Sequence, residues 1–276
     1  MKKTLLIALA LMPALALSAA KEPDTMPVYK TAGDAELKLH VFTPEGASQE
    51  PRACVVFFFG GGWVGGRPGQ FYSYCTYLKS KGIVAISAEY RVKKTHKTTP
   101  FDCVEDGKSA IRWVREHAKE LGIDPERIIA SGGSAGGHVA ACTGMIQGLD
   151  DPSENLKISS VPNAMVLFNP VADTTELGYG LEKVGEARKT EISPCHQVRA
   201  GQPPTLVFHG MADTTVPFEN VERMTRLMKA AGNDCTLKGY EGRNHGFFCR
   251  GEFKKEDVPK IQAEMLDWMK SRNFVK

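Results

Sequence analysis

Hydrophobic positions along this chain fall into two rhythms that take turns. Short, nearly unbroken apolar runs occur at 53–59, 82–87, 128–130, 164–168 and 205–208, and 236–240 reads as one last strand. Runs of that length and continuity read as strands buried on both faces of a parallel sheet. Between them lie stretches with the period of a helix, at 70–81, 101–121, 217–231 and 255–272. The second carries Val104, Ala110, Ile111, Val114 and Ala118 on one face, and the last carries Val258, Ile261, Met265, Leu266 and Met269. Ahead of these, 28–30 and 36–43 read as two strands around a turn at Ala32-Gly33-Asp34. Leu37, Leu39 and Val41 alternate there with Glu36, Lys38 and His40, the period of a half-exposed strand, so His40 is expected to face solvent. Strands alternating with helices imply βαβ units, and a single α/β domain over residues 21–276 is expected. Residues 21–26 read as a loose leader to it. Residues 172–203 are weakly patterned and rich in glycine and proline, and are expected to form a small lid over the sheet.

One junction carries chemistry. The run Ile128-Ile129-Ala130 breaks into Gly132-Gly133-Ser134-Ala135-Gly136-Gly137, and a helical pattern resumes at His138. Strand, glycine-flanked serine and helix together are the context in which G-x-S-x-G presents a reactive hydroxyl. The turn is too tight for side chains at Gly132 and Gly136, so the hydroxyl stands above a helix N-terminus. Free N–H groups and a partial positive charge there suit a developing oxyanion.

A serine needs a base, and the base needs a carboxylate to fix its tautomer. In open α/β sheets such groups lie beyond the carboxyl ends of strands. Asp213 follows the 205–208 run and His245 follows the 236–240 run, which gives the chain order Ser134, Asp213, His245. Asp173 and Glu176 are alternative acids. His117 and His96 read as surface residues, His138 as a packed neighbour of the serine, and His209 as buried. Gly60-Gly61-Gly62 follows the 53–59 run, and glycines let backbone N–H groups turn to a ligand. The oxyanion donors are therefore expected to be Ala135 N–H and Gly61 N–H, with Gly62 as a further one. Trp63, closing the glycine run, and His196, in the lid, are candidate substrate contacts.

Composition narrows the setting. Lys2 and Lys3 precede an apolar stretch from Thr4 to Leu17, and Ser18-Ala19-Ala20 offers a cleavage site, so residues 1–20 read as a signal peptide. The apolar stretch is shorter than a membrane span needs. The remainder would hold 33 basic and 32 acidic side chains, which offers no nucleic-acid surface. Seven cysteines in an exported chain leave at least one unpaired, and at most one or two bridges are expected. No metal or organic cofactor is implied, nor a stable membrane anchor.

Gly60-Gly61-Gly62-Trp63, Gly132 to His138, and Asp213-Thr214-Thr215-Val216-Pro217 with His245 resemble the acetyl esterase/lipase branch of the α/β-hydrolase superfamily. The likeness runs over about 36–272. Phe59 stands where that branch usually has histidine before the glycine run, and Gly133 where it often has aspartate before the serine. Backbone donors are indifferent to both changes. The resemblance implies an α/β-hydrolase fold, a mostly parallel central sheet flanked by helices, and a serine-dependent carboxylic ester hydrolase without a cofactor. Its expected substrates are short-acyl, acetyl-type esters of an oligo- or polysaccharide, because the leader leaves no room for a helical cap and the site should be open. Exported peptidases and arylformamidase-like amidases of the same fold are the alternatives, and a non-catalytic binding module is a third.

Overall fold

The structure is a computed structural model describing residues 22–251 and 254–275. The expected signal peptide lies outside the described residues. Among these, eight strands form one sheet: β1 (Val28–Ala32), β2 (Ala35–Phe42), β3 (Arg52–Phe58), β4 (Val84–Ala88), β5 (Ile123–Gly133), β6 (Ala164–Phe168), β7 (Thr205–Gly210) and β8 (Cys235–Tyr240). Their spatial order is β1-β2-β4-β3-β5-β6-β7-β8. β1 and β2 pair antiparallel, as do β2 and β4, while all pairs from β4 to β8 are parallel. The helices are α1 (Tyr72–Ser80), α2 (Lys93–His96), α3 (Pro100–Glu116), α4 (Ala118–Leu121), α5 (Ala135–Met145), α6 (Leu181–Val184), α7 (Phe218–Ala230) and α8 (Lys254–Ser271).

The unbroken apolar runs are explained by cover on both faces. In β3, Cys54, Val56 and Phe58 pack into one core with α3, α5 and α7. Ala53, Val55 and Phe57 pack into a second core with α1 and α8. A strand clad on both sides has no polar face to alternate with. Thr99 and Asp102 close a capping box at the start of α3, with Pro100 in its first turn, where a missing N–H costs nothing.

Several expectations are corrected. The pattern read as one helix over 101–121 divides at His117, whose backbone leaves the helical range (φ −98°, ψ 21°) and whose ring stacks on Trp113. Asp124 and Pro125 lie inside β5, where the register against β3 slips between Arg52 and Cys54. Residues 24–27 are not loose: Val41 N–H donates to Thr25 (2.9 Å), Leu39 N–H donates to Pro27 (3.0 Å), and Lys79 reaches Asp24 (2.7 Å). His40 is half-buried, between the Tyr72 hydroxyl (2.6 Å) and Glu89 (3.1 Å). All seven cysteines are free thiols, within the expected limit of two bridges.

The excursion at 172–203 contains α6 and two short 3-10 turns, Glu186–Arg188 and Pro194–His196. It is fastened rather than free-standing. Asp173, fully buried, pairs with Arg223 of α7. The Thr174 hydroxyl donates to Lys189 O (2.6 Å) and Cys195 N–H to Ala172 O (2.8 Å).

Candidate active site

β5 ends by turning hard. Ser134 has φ 57° and ψ −123°, a backbone state that costs a non-glycine residue about 1–3 kcal/mol. The surroundings enforce it. A Cβ at Gly132 or Gly136 would strike the carbonyl of Phe58 at the end of β3, and one at Gly133 would strike the Phe248 ring. Ser134 N–H donates to Phe168 O (2.9 Å), and its own carbonyl accepts from His138 N–H (2.9 Å) as α5 begins.

Two loops meet the serine at the carboxyl edge of the sheet. Asp213 follows β7, and His245 follows β8. The His245 loop is held by a hydrogen bond from the Tyr74 hydroxyl to Phe248 O (2.8 Å) and by Arg243 on Asp257 of α8 (2.7 Å). His245 Nε2 lies 3.0 Å from Ser134 Oγ, and His245 Nδ1 lies 2.7 Å from Asp213 Oδ2. The second distance fixes the ring: the carboxylate accepts from Nδ1–H, which leaves Nε2 with a lone pair towards the hydroxyl. Asp213 Oδ1 accepts from the N–H groups of Thr215 (2.8 Å) and Val216 (2.9 Å), and Oδ2 also accepts from Asn169 Nδ2 (2.8 Å). His209 Nε2 stands 3.2 Å from the same Oδ2. Burial alone would raise this carboxyl, but donation from His209, His245 and Val216 outweighs it and holds Asp213 far below the ordinary carboxylate range. It is thus an anion under the imidazole at neutral pH.

Ala135, Gly61 and Gly62 N–H have no hydrogen-bond partner among the described residues. Gly61 (φ 146°) and Gly62 (φ 62°) have backbone states suited to glycine. Gly60 N–H is spent on Gln70 Oε1 (2.5 Å), and the Tyr90 hydroxyl caps Phe59 O (2.6 Å), so the loop is anchored just before the two free donors. Gly61, Gly62 and Ser134 line a cavity of about 200 Å³ with His245, Tyr179 and Phe248. A hydroxyl, a base with an anionic partner and unspent N–H groups around one small cavity can carry out acyl transfer, with the N–H groups stabilising the oxyanion of a tetrahedral intermediate. Cys249, also in the wall, is pushed up to about 11 by burial and stays a thiol at neutral pH. Among the described residues, no group of three His, Cys, Asp or Glu side chains is placed to hold a metal ion.

The two expected substrate contacts are not at the cavity. Trp63 is buried, with His138 edge-on at 5.1 Å and Tyr179 at 5.8 Å, and its backbone has a positive φ. His196 lies outside the lining, with Nδ1 2.8 Å from Ser193 Oγ in its own turn. Of the alternative acids, Asp173 is committed to Arg223, and Glu176 is exposed beside Lys189 (2.9 Å). His138 is buried and donates from Nε2 to Ile192 O (2.7 Å); burial pushes its pKa down to about 4 against the pull of that carbonyl. Sequence reasoning missed Asn169, Gln70, Tyr179 and Phe248. Asn169 could have been found, since it stands directly beyond β6 at the carboxyl edge. The other three had no local signal.

The fold and sequence have counterparts among known proteins. A solved structure of Thermogutta terrifontis esterase 2, phosphoramylated by tabun, matches with a TM-score of 0.87 and 45% identity over 91% of this chain and 95% of that one. Its apo form matches with a TM-score of 0.87 and 44% identity, over 91% and 96% of the two chains. Esterase LipC of Mycobacterium tuberculosis is 28% identical over 76% of this chain and 56% of its own length. An acetylxylan esterase of Xylanibacter ruminicola is 28% identical over 86% and 49%. The chain spans about half the length of the curated relatives it matches. The BD-FAE family model matches residues 39–228. With the parallel sheet and its helical layers, that match makes the chain a member of the BD-FAE family, within the α/β-hydrolase superfamily.

Proposed function

We propose that this chain is a carboxylic ester hydrolase in which Ser134 attacks the ester carbonyl, His245 takes and returns the proton, and Asp213 holds the imidazole. Gly61, Gly62 and Ala135 N–H receive the oxyanion. The observation that carries this is the linked pair of contacts, 3.0 Å from Ser134 Oγ to His245 and 2.7 Å from His245 to Asp213, opening on unspent N–H donors. The esterase names of its relatives support it.

The substrate we propose is a short-acyl ester, acetyl above all, of an oligo- or polysaccharide. A cavity of about 200 Å³ favours a small acyl group. The related Thermogutta terrifontis esterase has been solved with propionate bound. The acetylxylan esterase among the relatives supports a carbohydrate alcohol. We also propose export, on the strength of Lys2, Lys3 and the apolar stretch to Leu17.

The test is hydrolysis of p-nitrophenyl acetate beside Ser134→Ala. The variant should lose roughly 10⁴-fold or more in kcat. Equal activity in both proteins removes Ser134 from the chemistry. A series of acyl lengths tests the substrate: preference for octanoate and longer over acetate overturns the acetyl reading.

A further inference from the structure

The cavity carries a hydrogen-bond donor that the acyl-transfer chemistry leaves unused. Tyr179, from the 172–203 excursion, lines it beside Gly62. Its hydroxyl lies 2.9 Å from where a Cβ on Gly62 would stand. Lys183, one turn along at the end of α6, places Nζ 2.8 Å from that hydroxyl and 4.3 Å from the ring centroid. An ammonium group has donors only, so the phenol oxygen must accept from Lys183. The phenol proton is therefore unspent, and among the described residues no acceptor takes it. The cation behind the oxygen makes that proton a stronger donor.

The rest of the wall asks for the same kind of ligand. Arg250 lines the cavity, and no aspartate or glutamate does. Gln70 Oε1 is already taken by Gly60 N–H. The wall thus offers donors and lacks free anionic acceptors. An acetyl group has one carbonyl oxygen, and Gly61, Gly62 and Ala135 are placed for it. A further acceptor oxygen must come from the alcohol portion.

We propose that Tyr179, backed by Lys183, is a specificity-determining subsite that donates to a hydroxyl or ring oxygen of the alcohol portion, and so selects esters of oxygen-rich, sugar-like alcohols over hydrocarbon ones. This rests on the carbohydrate-ester reading above. Tyr179→Phe keeps the ring that packs near Trp63 at 5.8 Å and removes only the donor.

The experiment compares kcat/KM for a methyl O-acetyl-xyloside and for cyclohexyl acetate, in the wild type, Tyr179→Phe and Lys183→Met. Both substrates are acetates of a secondary alcohol on a six-membered ring, and only the first carries further oxygens. The ratio of xyloside to cyclohexyl ester should fall about tenfold in Tyr179→Phe, the effect of one lost hydrogen bond to a polarised donor, and by a smaller factor in Lys183→Met. An equal fall on both esters gives Tyr179 a role at the oxyanion and overturns the subsite. Unchanged kcat/KM on both esters overturns it as well, leaving Tyr179 as packing. Failure of the reading beneath it looks different: the wild type then cleaves cyclohexyl and p-nitrophenyl acetates but not the xyloside.

Discussion

Asp213 concentrates the electrostatics of the site in one side chain. With donors on both oxygens, it stays ionised far into acid. The profile of kcat/KM against pH should therefore show no break from this carboxyl in the ordinary carboxylate range. Asp213→Asn leaves the shape but turns a carbonyl or an NH₂ towards His245 Nδ1 and loses the anion, and kcat for p-nitrophenyl acetate should drop about 10⁴-fold. His138 shifts in the same direction, but there burial favours the neutral form. Its ordinary pKa of 6.5 falls to about 4 in the buried site, so between those values the unfolded chain binds a proton that the folded chain refuses. Stability should decline as pH falls from 6.5 towards 4, by at most about 3 kcal/mol from this residue. His138→Gln, unable to titrate, should flatten urea-denaturation midpoints across that window.

Elements were legible wherever one rhythm governed them. The runs at 53–59, 164–168 and 205–208 became β3, β6 and β7 with ends shifted by no more than two residues, because cover on both faces leaves a signature in the strand itself. The junction at Ser134, and the placing of Asp213 and His245 after β7 and β8, followed from turn chemistry and chain order. What was not legible depended on packing between distant segments. Trp63 looks like a cavity residue beside three glycines, yet it packs on His138 and Tyr179 from distant segments. Tyr179 and Gln70 reach the site from an irregular loop and a 3-10 turn, neither with a period to read. The tight contact of β5, α5 and the end of β3 carries its own prediction. Gly136→Ala would push a methyl against the Phe58 and Phe59 carbonyls, and should lower stability by about 1–3 kcal/mol and activity further, read as Tm and kcat.

At the scale of the whole molecule, the excursion at 172–203 is tied into the core on which it sits. Asp173 is fully buried and Arg223 reaches it from α7, so removing the cation strands a charge in the interior. Arg223→Ala should cost about 3–5 kcal/mol in denaturant unfolding and loosen the loop that carries Tyr179, raising KM for a sugar ester more than it lowers kcat. Hydrogen exchange across 172–196 in the wild type should be slow, in keeping with the buried Thr174, Ile192 and Ser193.

The Phe248 ring occupies the space that any side chain at residue 133 would need, and it belongs to the loop that carries His245. The two positions are therefore sterically coupled: a side chain at residue 133 requires the ring to move or be removed. Changed singly, Gly133→Asp or Phe248→Ala should each cripple the enzyme, and the pair together should recover part of the loss. Compared across relatives, the two sites should vary in step, as a lock and its key are recut together.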